Sequence, residues 1–415
     1  MRRLGDVTEM LVGFAFKSAG FLDADAEGVR LLRGDNVQQG YIRWGDKTKK
    51  WPAADYDDLA RYQLAEGDVI LAMDRPIVGS GLKTAWVKSE DLPALLVQRV
   101  CRLRGKSGVA LTGFIRYVLA APEFSAHIHR ITTGANIPHI SGKDIAAYEF
   151  PLPELEGQAR IVECLSAYDD LIATNHRRIA LLEGAARRLY REWFLQLRFP
   201  GHESVPFKDG VPEGWQSGSA FDFVFIMSGG TPKTGMEHFW GGEIPFFTPK
   251  DSPDAFYGLG TEKTLTESGL ASCNSRLFPK DTIFITARGT VGKVALAQRP
   301  MAMNQSCYAL APKQDYDNFF LFLAIKEAVE HFKQVASGGV FDAIIVDTFK
   351  IIPFLMPDAQ LTYVFGRKVQ PIFEQVERLL LQNQQLSRAR DLLLPKLMSG
   401  QLDVSGIPLP DEVSA

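Results

Sequence analysis

Apolar residues recur at alternating spacings of four and three at Ile161, Leu165, Tyr168, Ile172, Asn175, Ile179, Leu182, Ala186, Leu189 and Trp193. That spacing is the a/d seam of a heptad helix, which buries one stripe against a partner helix. A shift of 204 residues returns the seam in the same register, from Phe365, Val369, Ile372 and Val376 through Leu379, Asn383 and Leu386 to Arg390, Leu393 and Leu397. The chain therefore reads as a duplication in which each half ends in a long helix. The same shift carries Gly134 onto Gly338, Ile140 onto Ile344, Phe150 onto Phe354 and Pro153 onto Pro357. Further forward the offset drifts: Asp68-Val69-Ile70 matches Asp281-Thr282-Ile283, and Arg75 and Gly79 match Arg288 and Gly292.

The polar seam positions select an orientation. With the helices antiparallel, Asn175 faces Asn383 and Tyr168 faces Arg390, while the other pairs, such as Ile161 with Leu397, are apolar. A buried Asn pair fixes register at some cost in stability, and Arg over Tyr is a cation–π contact. Asn175, Asn383, Tyr168 and Arg390 are thus the expected register residues. Antiparallel packing puts the two preceding blocks at opposite ends of a rod about 55 Å long, at 1.5 Å per helical residue. Pro371 is expected to kink the second helix or to start it afresh.

Apolar runs bounded by turn residues predict strands over 29–32, 68–73 and 97–103 in the first block. A helix is expected over 112–130, with Thr112 as its N-cap. The second block carries strands over 282–286 and 307–310 and a helix over 319–335; residues 201–214, rich in Pro and Gly, read as a linker. The expected class is α+β: two tandem α/β domains joined by two long antiparallel heptad helices with internal pseudo-two-fold symmetry. Its parts are a first domain (1–152), a central helical region (153–198), a linker and second domain (199–356), a C-terminal helical region (357–402) and a tail (403–415).

Composition narrows this little. With 415 residues, 46% hydrophobic and 23% charged, the chain is long enough for two cores and too apolar for disorder. No apolar run approaches membrane-spanning length, and Met1-Arg2-Arg3-Leu4-Gly5-Asp6 lacks a signal core, so a cytoplasmic protein is expected. Cys101, Cys164, Cys273 and Cys307 form no C-x-x-C pair and read as reduced thiols. A net charge of −3 neither demands nor excludes nucleic acid, since a basic groove can sit on a near-neutral protein.

Signatures of chemistry are missing from the sequence. No Pro-Pro dipeptide supplies the turn of amino-methyltransferases, and Gly289 to Lys293 fails as a P-loop because Val294 follows the lysine. No lysine has an acid two residues before it, as restriction nucleases place at their metal, and His127 and His129 lack ligand partners at suitable spacing. The chain reads as non-catalytic, with no metal and no cofactor of its own.

The second helix contains Val369-Gln370-Pro371-Ile372, then Gln382-Asn383-Gln384-Gln385-Leu386, then Arg390-Asp391-Leu392-Leu393-Leu394-Pro395-Lys396-Leu397-Met398-Ser399-Gly400. The first opens with Pro151-Leu152-Pro153 followed by Gln158 and Ile161, and the second block contains Ser228-Gly229-Gly230-Thr231-Pro232-Lys233 and Ala287-Arg288-Gly289-Thr290-Val291-Gly292-Lys293. In this order along a duplicated chain, these strings resemble the specificity subunit of type I restriction–modification systems. The resemblance implies two target recognition domains, each reading half of an asymmetric bipartite site in double-stranded DNA. It also implies helices that set the spacer and dock two methyltransferase (modification) subunits, with translocase–nuclease (restriction) subunits joining them. S-adenosylmethionine, ATP and Mg are then expected on those partners. The Pro-x-Gly-Trp entry occurs only at Pro212-Glu213-Gly214-Trp215, and Asn136-Ile137-Pro138-His139-Ile140 is replaced by Val340-Phe341-Asp342-Ala343-Ile344 in the second block.

Base readout needs side chains carried on loops, with Lys and Arg on phosphates. In the first block the candidates are Arg33, Asn36, Gln38, Gln39, Arg43, Lys47, Lys49, Lys50, Arg75, Ser80, Lys83 and the loop Thr132-Thr133-Gly134-Ala135-Asn136. In the second they are Ser228, Thr231, Lys233, Lys250, Arg288, Thr290, Lys293, Asn304, Gln305 and Ser337. Arg75 and Arg288 stand out because they follow matching strands. The leading expectation is a non-catalytic DNA specificity subunit. The alternatives are a coiled-coil scaffold for proteins without DNA readout, and a self-contained modification enzyme, which the missing Pro-Pro turn disfavours.

Overall fold

The computed structural model describes residues 1–78, 81–132, 139–335, 343–404 and 406, with residues 332–335 as backbone only. The chain divides into two compact units, residues 1–170 with 386–415 and residues 171–385. Both long helices pass from one unit to the other, so each unit holds one end of each.

In the first unit the strands are β1 (Thr8–Val12), β2 (Val29–Leu32), β3 (Val69–Ala72), β4 (Thr84–Trp86), β5 (Ala94–Leu96) and β6 (Val100–Gly105). Four form an antiparallel sheet in the order β1-β6-β3-β4, while β2 pairs in parallel with β5. All four residues of β3 are buried. The run is apolar without alternation because both faces are covered. Val69 and Leu71 enter a core with Phe114, Ile115 and Val118, and Ile70 and Ala72 enter another with Leu32, Leu96 and Val100.

The single helix expected over 112–130 is two: α1 (Thr112–Ala120) and α2 (Pro122–Thr132). Pro122 forces the residue before it out of the helical region, and Ala121 is extended at ψ 143°. Thr112 is not the cap either. Leu111 holds that position, and the Thr112 hydroxyl accepts a bond from the Gly105 amide at 3.0 Å. The helix α3 (Leu155–Tyr190) then runs for 36 residues and ends in a π-turn, Arg191–Leu195.

The second unit repeats the plan with β7 (Val224–Ser228), β8 (Trp240–Phe247), β9 (Ile283–Thr286), β10 (Val294–Ala297), β11 (Ala302–Met303) and β12 (Cys307–Pro312). Its sheet runs β7-β12-β9-β10, extended by Tyr257–Gly258, and β8 pairs in parallel with β11. Strand β9 again divides its side chains, Ile283 and Ile285 into one core and Phe284 into another. Helix α4 (Asn318–Val335) replaces the broken pair α1 and α2. Small tethers repeat as well. The Leu111 amide, before α1, donates to Gln158 Oε1 at 2.8 Å, and the Asp317 amide, before α4, donates to Thr362 Oγ1 at 3.1 Å.

The stretch 201–214 is more than a tether: Phe207–Lys208 and Val211–Pro212 pair as a hairpin. Asp209 and Gly210 turn it with φ of 52° and 77°, the positive pair that matches strand twist. Helix α5 (Ala359–Met398) runs unbroken through Pro371, contrary to the expected fresh start. Val369 and Phe373, both fully buried, hold the turns on either side of the proline and offset its roughly 3 kcal/mol cost.

Within each unit the helix ends pack antiparallel. In the first, Ile161 and Leu165 share a core with Leu393, Leu394 and Leu397. In the second, Trp193 lies edge-on to Phe365 at 5.5 Å, and Asn175 Nδ2 donates to Asn383 Oδ1 at 2.9 Å and to Gln382 Oε1 at 3.2 Å. Asn383 returns a longer bond to the Ile172 carbonyl at 3.4 Å, while buried Asn175 Oδ1 has no partner. The Tyr168–Arg390 contact is corrected: the Arg390 guanidinium turns instead to Asp169 at 2.6 Å and Asp391 at 2.8 Å, where charge pairing outweighs a ring face.

Candidate nucleic-acid interface

In the second unit the strand ends gather four loops. Gly229 and Gly230 follow β7 where a side chain would strike the Met303 and Asn304 carbonyls or the Asn274 backbone. Closeness of chain to chain is therefore what these glycines supply. The Gly230 amide donates to the Met303 carbonyl at 3.1 Å, and the Asn304 amide to the Phe247 carbonyl at 3.0 Å. The Thr231 hydroxyl bonds Gln305 Oε1. Between β9 and β10 the turn uses Gly289 and Gly292 at φ 81° and 72°, and the Thr290 hydroxyl donates to the Pro249 carbonyl at 3.0 Å. The Ala287 amide donates to the Ser306 carbonyl at 2.8 Å.

These bonds bring together Thr231, Lys250, Arg288, Thr290, Asn304 and Gln305, from four loops far apart in sequence. Arg288, Lys250 and Lys233 are exposed, and among the described residues no carboxylate lies within ion-pair distance of them. Lys293 differs, since its ammonium pairs with Asp254 at 2.7 Å. Asn304 Oδ1 is occupied by the Ser306 amide at 3.0 Å, and Ser228 stands exposed at the end of β7.

The first unit builds the corresponding turn between β3 and β4. Arg75 sits there exposed at φ 45°, a left-handed conformation unusual for arginine. Its neighbour Asp74 accepts from Arg99 at 2.7 Å and pairs with His139 Nδ1 at 2.5 Å. Burial acts to raise the Asp74 pKa, but these two partners prevail and hold it below the ordinary carboxylate value. The Ile140 amide bonds the Met73 carbonyl just as the Ile344 amide bonds that of Ala287, so the end of β3 and the end of β9 are tied alike.

Several candidates prove to be committed to the fold. Asn36 is buried, accepting from the Arg33 amide at 3.0 Å and donating to the Arg43 carbonyl at 3.1 Å, so it closes a turn and is unavailable to a base. Gln38 donates to the Asp35 carbonyl at 3.0 Å, Gln39 to the Val78 carbonyl and Lys83 to the Gly34 carbonyl at 3.5 Å. Lys49 pairs with Asp23, Lys50 donates to the Ala26 carbonyl, and Arg33 approaches Asp35 at 3.9 Å. Thr132 is buried and bonds back to the Ile128 carbonyl. Arg43, Lys47 and Arg75 remain exposed, with no ion-pair partner among the described residues. Ser80, Thr133, Gly134, Ala135, Asn136 and Ser337 lie outside the described residues.

Sequence reasoning missed the Asp74–Arg99–His139 cluster, whose one signal was the acid beside Arg75. It also missed a buried network at the base of the first domain. Asp169 accepts from Arg116, from the Tyr117 hydroxyl at 2.9 Å and from Arg390, and Arg116 stacks 3.2 Å over the Trp86 ring. All four cysteines are free; burial pushes the Cys101 and Cys307 thiols up to about 12. Among the described residues no cluster of three or more His, Cys, Asp or Glu could hold a metal ion, and no helix is long and apolar enough to cross a membrane.

Two copies of one α/β plan, each with polar and cationic loops at its strand ends and each ending in a heptad helix, describe a duplicated recognition protein. Residues 1–184 and 212–385 match the type I restriction modification DNA specificity domain, and the chain belongs to that family, as a specificity subunit with two recognition domains. The type I restriction enzyme HindI specificity subunit of Haemophilus influenzae is 22% identical over 412 residues, covering 84% of this chain and 89% of that protein. The EcoAI specificity subunit of Escherichia coli is 36% identical over 174 residues, 41% of this chain and 28% of that one. Among solved structures, the type I system S subunit from M. genitalium shares the fold, with a TM-score of 0.56 at 16% identity over 97% of this chain and 96% of that one.

Proposed function

We propose that each recognition domain reads one half of an asymmetric bipartite DNA site. On this reading the long helices set the unspecified spacer and dock two methyltransferase subunits, and this chain contributes no active site. Methyl transfer from S-adenosylmethionine, and cleavage using ATP and Mg, then belong to the modification and restriction subunits, in the cytoplasm. The observation that supports this is the repetition of one strand-end scaffold with different side chains upon it. Arg75 and Arg288 occupy corresponding turns, yet Asp74 and His139 flank the first where Ala287 and Ala343 flank the second. One scaffold with two faces suits two half-sites of different sequence.

Arginine reaches guanine edges with two parallel bonds, whereas a phosphate contact carries no sequence information. The test is to coexpress this chain with its methyltransferase subunit and map methylated adenines across a genome. A two-part motif with an unspecified spacer is expected. Arg288→Ala should relax one half of that motif only, weakening cognate DNA about ten-fold more than random DNA. Equal losses on both would make Arg288 a phosphate contact. A stable complex that methylates nothing in sequence context would favour a protein scaffold.

A further inference from the structure

In the second unit a cavity of about 680 Å³ opens beside the end of α3, within the size range of small-molecule sites. Tyr190, Phe194 and Leu195 line it from α3 and its π-turn, Ala328 from α4, and Phe354 from the strand Pro353–Met356. Such π-turns are rare and gather at functional sites. None of these residues is among the candidate DNA contacts.

One polar group in this apolar wall stands out. Glu327, on α4, has a side chain only 9% exposed, and its Oε1 has no hydrogen-bond partner among the described residues. Its Oε2 accepts from Arg191 Nε at 2.8 Å, and Arg191 is itself half exposed. Tying α3 to α4 does not require this burial. One turn away on each helix, Glu330 reaches Arg187 from a position 42% exposed. A buried carboxylate oxygen without a donor is costly, and each one calls for a reason. Nor does the acid belong to the repeated scaffold. Ten residues after the tethered amides of Leu111 and Asp317 stand Ala121 and Glu327, so the first unit has at this place the residue where its helix breaks. The 204-residue repeat likewise puts Pro395 where Arg191 stands.

We infer that this cavity binds a small organic cation, whose aromatic or aliphatic body lies against Tyr190, Phe194 and Phe354 and whose ammonium or amidinium N–H is donated to Glu327 Oε1. Glu327 and Glu330 outnumber the Arg191 cation in the wall, and His331 adds a positive charge only when protonated, so charge selects a positive occupant. The aromatic faces favour it again through cation–π attraction. A hydrogen bond to a carboxylate screened from water is stronger than one between neutral groups. The ligand touches α3, α4 and the strand together, so its binding stabilises the second unit.

The test is isothermal titration calorimetry of the full-length chain with three probes of one shape: benzamidine, benzamide and benzoate. Benzamidine should bind, benzamide about ten-fold more weakly, and benzoate not at all. Glu327→Gln keeps the shape of the wall and removes its charge, and should weaken benzamidine about ten-fold. Ala328→Trp leaves the acid in place, fills the cavity and should abolish binding. Benzamidine should also raise the melting temperature of the wild type more than that of either variant. Circular dichroism and melting without ligand identify a variant that has not folded, and the comparison of probes on the wild type needs no variant. No heat from benzamidine at a few millimolar would overturn the inference. So would benzamide or benzoate binding as tightly as benzamidine, or either folded variant binding as tightly as the wild type.

Discussion

Replacing Asp169 by alanine should unfold the first unit at a markedly lower temperature. Its carboxylate is about nine-tenths buried and serves Arg116, Tyr117 and Arg390 together. Arg116 is only 16% exposed and its Nε already lacks a partner, and without Asp169 it would keep only the longer-range attraction of exposed Asp170. Arg390 keeps Asp391. Breaking a buried pair by removing one partner costs roughly 3–5 kcal/mol, because the remaining charge stays out of water. The lower end applies here, since Arg390 retains both an acid and some solvent. For a unit of about 200 residues, each kcal/mol moves the midpoint by ~2–4 °C, which gives a fall of roughly 6–12 °C. Scanning calorimetry reads this directly, with the second unit as an internal reference if the two melt apart. The control is the triple variant Arg116→Leu, Asp169→Leu and Arg390→Leu, which removes the charges together. Well-packed apolar replacements of buried ion groups are often neutral or stabilising. A single variant that melts with the wild type, or a triple variant as unstable as the single, would refute this account.

Asn175→Leu alone should destabilise by about 1–3 kcal/mol, because it leaves Asn383 Oδ1 buried without the donor it accepts from. Asn175→Leu with Asn383→Leu should regain that loss yet broaden the helix resonances in NMR spectra, as slipped registers become comparable in energy. Asp74→Asn removes a carboxylate whose folded pKa lies below its ordinary 3.8. Such a group adds stability above the ordinary value and loses it as pH falls through the lower folded value. The variant should therefore melt below the wild type at neutral pH, by about 1 kcal/mol, with the two converging as pH drops below 3.8. A gap that persists at low pH would show that packing, not charge, explains it.

The sequence by itself determined the duplication, the two heptad helices and their antiparallel sense, because a seam with so few polar positions has few ways to bury them. It also located the central strands, since β3 and β9 are apolar at every residue or nearly so and must lie inside. What it could not show is which polar side chains face solvent. Asn36, Gln38 and Thr132 look like readers in a linear string, yet each spends its side chain on a nearby backbone carbonyl, and Asn36 and Thr132 are themselves buried. Arg390 looked like a partner for Tyr168, and only the tertiary structure shows it turned to the neighbouring Asp169, to which the packing of α1 also brings Arg116. Periodicity is a local property, fixed by 3.6 and 2 residues per turn, so it survives in the sequence. The meeting of Thr231 with Gln305, or of Thr290 with Pro249, depends on strand order and loop closure, which only the tertiary structure decides.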